Sequence, residues 1–161
     1  MIIIIESIIL CALFTIMVLF MAKDPIKTLY NYPPKVQEKI RNLDAYKDKI
    51  PTQQNKYFAK TIASIIIIVI VSLIMKYINN YHTFKETLMN SYLIWSIVNL
   101  YDVFIIDICW FCQSKKFVFS GTEDIINEYK NYWFHIKEGL IGQVIGLIIC
   151  IIVSLIVAFI L

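Results

Sequence analysis

Charge is the scarce commodity in this chain. Only 17% of its 161 residues are charged and 59% are hydrophobic, whereas a soluble domain carries about 25% charged and about 45–50% apolar residues. That balance excludes an ordinary soluble globule. The chain also has no P-loop, dinucleotide fingerprint, HExxH pair or Ser-His-Asp arrangement, so nothing points to the chemistries those motifs serve. Histidines number two and cysteines four. Cys109, Cys112 and His135 fall one short of the four ligands a structural zinc takes, and neither metal nor cofactor is expected. Acids within the basic first loop (Asp24, Glu38, Asp44, Asp48) weigh against nucleic-acid binding. No internal repeat, long linker or low-complexity tail is present. The opening apolar run lacks a positive leader, carries Glu6, and has no small-residue cleavage pattern after it, so it reads as a retained helix.

What remains is hydrophobic length. Four apolar runs, approximately 2–22, 59–77, 88–111 and 139–161, each approach the roughly 20 residues needed to cross hydrocarbon. An all-α fold follows: one integral membrane four-helix bundle over 1–161, with one or two short interfacial amphipathic helices. An isolated strand would leave its backbone unsatisfied in lipid, so the β-branched centre at 65–71 is also expected to be helical. Basic residues are distributed unevenly. Nine Lys/Arg lie between Lys23 and Lys60, two in 78–87 and its edges, and four in 112–138. The positive-inside rule then makes 23–58 and 112–138 cytoplasmic, 78–87 a short outer loop, and both termini external.

Within the first loop Val36, Ile40 and Leu43 recur at helical spacing after Pro33-Pro34, and Pro51 bars continuation. This helix either lies in the interface, where residues 35–49 would meet anionic lipid, or packs on the ends of the bundle. Thr83-Phe84-Lys85-Glu86 and Ser120-Gly121-Thr122-Glu123 both have capping-box form. Ile125, Ile126, Tyr129, Tyr132, Trp133 and Ile136 then form an apolar face leading to the fourth span, with Trp133 an interfacial anchor. In that span Gly142, Gly146, Cys150, Ser154 and Ala158 recur every four residues. Small residues so spaced admit a neighbouring helix. Ser7, Cys11 and Thr15 make the first span a candidate neighbour, and a homo-oligomer or a partner in a membrane complex is the alternative.

Asp102 and Asp107 lie inside the third run with no Lys or Arg at their depth. A charge there costs about 2.5–3.5 kcal/mol on insertion scales, and such residues mark functional sites. At about 100° per residue, Ser96, Asn99, Asp102, Asp107, Tyr92 and Trp110 share an arc of about 140°. Ile94, Ile97, Leu100, Phe104, Ile105 and Ile108 occupy the other side. Gln143 reaches the depth of Asp107, while His135, Lys137 and Glu138 cluster at the cytoplasmic mouth. Asn99, Asp102, Asp107 and Gln143 therefore form the expected polar site, with Lys137 a partner for Asp107. Its use would be to bind a proton, cation or cationic ligand, alone or as an accessory subunit. The other reading is an enzyme acting on lipid headgroups. Cys109-Trp110-Phe111-Cys112 raises thiol oxidoreduction as well, but at a helix carboxyl end the dipole disfavours the thiolate, and a cytoplasmic pair would face a reducing compartment.

The pattern Asn99-x2-Asp102-x4-Asp107-x2-Trp110-Phe111, with Gly121-Thr122-Glu123, Tyr132-x-Phe134-His135 and Tyr32-Pro33-Pro34, resembles a group of small bacterial four-span membrane proteins. The resemblance covers most of residues 30–146. It implies four spans and no activity, while the Ile-rich composition suits a bacterial inner membrane.

Overall fold

The computed structural model describes residues 2–50 and 53–161, with the side chains of 53–57, 59 and 60 left aside. Among the described residues there are helices and no strands. The long elements are α1 (Ile2–Met21), α3 (Gln53–Leu73), α4 (Phe84–Tyr101) and α6 (Tyr132–Phe159), with α2 (Pro34–Asn42) and α5 (Ile126–Tyr129) short. Two π-helical segments, Ile74–Ile78 and Asp102–Phe111, continue α3 and α4. Four of the resulting helices are long and apolar enough to cross a membrane.

Two boundaries and one expected cap differ from the sequence reading, each for a local reason. The third long helix starts at Phe84 because the Thr83 hydroxyl accepts the Glu86 N–H at 3.3 Å and donates to the Glu86 carboxylate at 2.9 Å. The outer connection is correspondingly shorter than 78–87. The fourth begins at Tyr132, seven residues before position 139, because the Asn131 side chain caps the Phe134 N–H at 3.1 Å. The second expected capping box does not form. Glu123 accepts the N–H of Gly121, which sits at φ +84°, and Thr122 turns its hydroxyl to the Phe119 carbonyl instead. Only a 3₁₀ turn and the four residues of α5 follow, so the expected continuous face divides. Tyr129 is buried, whereas Trp133 is 70% exposed, as an anchor would be.

The chain forms two compact units. The first comprises residues 1–9, 53–99 and 140–161. Its core is Met75, Ile94, Ile149, Val153 and Val157, with Ile3, Ile68 and Trp95 against it. Ile94 was expected on the outward side of its helix and is instead part of this core. The small-residue stripe of α6 turns inward here: Gly146, Cys150 and Ser154 are buried and Ala158 half-buried. Their glycines meet α4. A methyl group on Gly146 would fall inside the Trp95 indole, and one on Gly142 would come within 2.8 Å of the Asn99 carbonyl oxygen. The neighbour of the glycines is thus α4 and not the Ser7–Cys11–Thr15 face of α1, because an indole and an amide need the space that glycine leaves.

The second unit comprises residues 10–52 and 100–139. Ala22, Ile26, Leu29, Tyr32, Val36, Ile40, Phe117, Phe119 and Tyr129 form its core. Val36 and Ile40 are fully buried, so α2 spends its apolar stripe on protein and not on an interface. Lys35–Glu128 (2.7 Å) and Lys39–Asp124 (3.0 Å) flank this packing. Lys35 is pushed up and Asp124 pulled down by these hydrogen bonds. α2 ends at Asn42; the expected stop at Pro51 lies outside the described residues. Burial pushes the Tyr32 phenol far above its ordinary range, with the nearby Tyr129 adding to it.

Gly146→Ala is expected to lower stability by about 1–3 kcal/mol through overpacking against a rigid ring, and Trp95→Leu to restore part of it. Denaturant unfolding of the purified variants checks this; an alanine variant as stable as the parent contradicts the close approach.

Candidate functional site

Four residues were expected to make one site, and the units hold two each. In the first unit Asn99 donates to the Gln143 carbonyl oxygen at 3.0 Å, and the Gln143 amide donates to the Ser96 hydroxyl. Ser96 in turn donates to the Tyr92 carbonyl at 2.8 Å, and the Trp95 indole donates to the Gly142 carbonyl at 3.2 Å. Every link is neutral. Chained amide and hydroxyl groups satisfy one another between helices without a titrating member, so this group reads as a polar clasp.

The second unit contains the ionisable group. Asp102 and Asp107 lie on the π-helical segment Asp102–Phe111. Its register is marked by the Cys112 N–H donating to the Asp107 carbonyl at 2.9 Å, a bond from one residue to the fifth before it. In an α-helix residues five apart point about 140° apart; the wider π winding narrows that angle and brings them toward one side. The two carboxylates thereby come into electrostatic reach of each other and of His135. His135 Nδ1 stands 3.1 Å from Asp107 Oδ2, and the imidazole is 2% exposed.

His135, and not Lys137, is therefore the partner of Asp107. The reason is register. Gly139, one turn after His135, lets α6 close on Val103, where a methyl would overlap the valine side chain. Asp107 lies one turn beyond Val103, so the imidazole on the same face meets it. Lys137 and Glu138 fall on another side of the turn and are exposed. The sequence reading gave His135 only a place at the mouth. A continuous helix from Tyr132, aligned through Gly139, was the signal that would have moved it inward.

Aromatic rings surround the pair. Phe111 lies 5.2 Å from the His135 ring and 4.9 Å from that of Tyr32, and Phe134 packs against His135 at 5.2 Å. The Tyr101 hydroxyl, next to Asp102 in sequence, shares a 2.7 Å hydrogen bond with Thr15. A carboxylate fixed on Nδ1 sets the tautomer and orientation of an imidazole and leaves Nε2 for other business. Among the described residues no three His, Cys, Asp or Glu side chains are placed to hold a metal ion.

Cys109 is exposed and Cys112 buried, and both are free thiols. Burial, and then the negative charge of Asp107, pushes the Cys112 thiol up to about 11. The thiolate that exchange chemistry needs is disfavoured, which weakens the oxidoreductase reading further. At near-neutral pH the Cys112 thiolate fraction is expected to be roughly 100-fold below that of an ordinary thiol. Maleimide labelling followed by peptide mapping should show Cys109 modified first, with Cys112 reacting only as pH climbs toward about 11. Fast labelling of Cys112 at neutral pH contradicts this.

In comparisons with known proteins, no family model, no curated protein and no solved structure matches the chain.

Proposed function

We propose that this is a multi-pass protein of a bacterial inner membrane, and that its Asp102–Asp107–His135 cluster binds and releases a proton. On this reading α1, α3, α4 and α6 span the bilayer with both termini outside. Residues 23–58 and 112–138 are cytoplasmic. Four apolar helices of sufficient length support the spanning, and thirteen basic residues on one side against two on the other support the orientation. The likeness to small bacterial four-span membrane proteins agrees with both. Arg41 and Lys49, exposed within 35–49, are the basic side chains offered to anionic lipid, since Lys35, Lys39 and Lys47 engage acids of the same chain.

The observation that carries the proton reading is the 3.1 Å Asp107–His135 pair with a second carboxylate beside it. Two acids and one imidazole in low dielectric cannot all hold their charged forms cheaply. A larger cation is less well served, because His135 already occupies the place opposite Asp107. An enzyme acting on headgroups is disfavoured too, since a 2% exposed imidazole presents no face to a substrate. The protein would serve alone or as an accessory subunit of a membrane complex.

In lipid bilayers, pH-jump infrared difference spectra are expected to show a protonated-carboxyl band in the parent protein. Asp102→Asn or Asp107→Asn should remove or displace it, and His135→Gln should alter it without touching either acid. A parent spectrum with no carboxyl change across the accessible pH range would sink the proton reading.

A further inference from the structure

Among the described residues, two buried polar atoms of the second unit have no hydrogen-bond partner: His135 Nε2 and the Tyr32 hydroxyl. Their residues are 2% and 1% exposed. Both rings pack on Phe111, at 5.2 Å and 4.9 Å between centroids, so they share one phenyl ring as a neighbour. Gln37 holds the Tyr32 carbonyl at 2.7 Å, fixing that residue's backbone, and Asp107 holds the imidazole. Buried polar atoms are almost always satisfied, by protein or by ordered water, and leaving one unpaired carries its full desolvation penalty.

We propose that His135 Nε2 and the Tyr32 hydroxyl are the two ends of a hydration site, in which one or more buried water molecules lie beside Phe111 and connect the Asp102–Asp107–His135 cluster to Tyr32. The chemical class follows from the two states of the imidazole. Neutral His135, donating through Nδ1 to Asp107, presents Nε2 as an acceptor. Protonated His135 presents Nε2–H as a donor. A carbonyl group serves only the second state and an ammonium only the first. A water or hydroxyl serves both by turning, and water is the smaller of the two and the usual partner of buried polar atoms that the protein leaves unpaired. The Tyr32 hydroxyl can likewise donate or accept. The titratable groups facing the site are Asp107 and Asp102 from the π-helical segment, Cys112 just after it, Tyr129 near Tyr32, and His135 itself. Among the described residues none of the others hydrogen-bonds Nε2. Tyr32 is thus a positioning residue for the water, set just before α2 within the first cytoplasmic loop of the proposed topology.

The inference rests on the proton reading for its use but not for its existence, and the test separates the two. The full chain, labelled with ¹⁵N at histidine, is studied by solid-state NMR in bilayers of zwitterionic and anionic phospholipid. Only two histidines are present, and His82→Asn leaves the His135 signals alone in the spectrum. The expected result is magnetisation transfer from water protons to His135 Nε2. In Tyr32→Phe that transfer should weaken several-fold, while the Nδ1 signal keeps the shift of an Asp107-bonded nitrogen. Absence of any water contact at Nε2 in the parent overturns the proposal, whether or not Tyr32→Phe folds. Transfer from lipid headgroup or acyl protons in place of water overturns it also, by naming a different occupant. Undiminished water transfer in a folded Tyr32→Phe protein removes Tyr32 from the site. Failure of His135 to change with pH, with the water contact intact, would refute the proton reading alone.

Discussion

The close approach of α6 to the third long helix is the constraint on which both polar groups depend. In the first unit Gly142 and Gly146 leave room for an amide and an indole; in the second Gly139 leaves room for Val103. Hydrophobic surface offers little drive for helix association inside lipid, where small residues and interhelical hydrogen bonds take over. The glycines bring the backbones near enough for short polar side chains to meet. Without that proximity Asn99 would not reach Gln143, nor Asp107 reach His135.

The two groups use this closeness differently. Ser96, Asn99 and Gln143 spend it on neutral bonds that hold helices together. Asp102, Asp107 and His135 spend it on a cluster with more ionisable members than a low-dielectric surround accepts in their charged forms. The π-helical segment is what makes the second group possible. It costs regular i→i−4 bonding over ten residues, and it brings together two carboxylates that α winding would part. π segments recur at functional positions for this kind of reason.

Much of this was legible in the residues. Apolar length and the absence of basic residues near Asp102 and Asp107 pointed to the helix and the acids that the structure places beside His135. The every-fourth-residue stripe pointed to the packing face of α6. An assumption of uniform α geometry, a wheel of about 100° per residue, spread Asp102 and Asp107 across a wide arc. Ile94 lies in the α-helical part of the run and was set outward for a different reason, because only polar residues were taken to mark the inward face. Winding type depends on tertiary packing and leaves no composition signal, although a spacing of five between two acids is a faint one. The choice of Lys137 over His135 followed from reading charge before register. Opposite charge suggested Lys137, but the helix face fixed by Gly139 carries His135. Tyr32 was noticed only within Tyr32-Pro33-Pro34, because its burial depends on Phe111, Phe119 and Tyr129 arriving from distant parts of the chain.

The central claim is that Asp107 and His135 hold one another inside the protein. A double-mutant cycle over Asp107→Asn and His135→Gln, read as unfolding free energy in bilayers or mild detergent, tests it most directly. The account predicts a coupling of about 1–2 kcal/mol, the upper range for polar contacts between helices in lipid. Single losses should each approach the loss of the double variant. Additive single effects, with a coupling near zero, would contradict it.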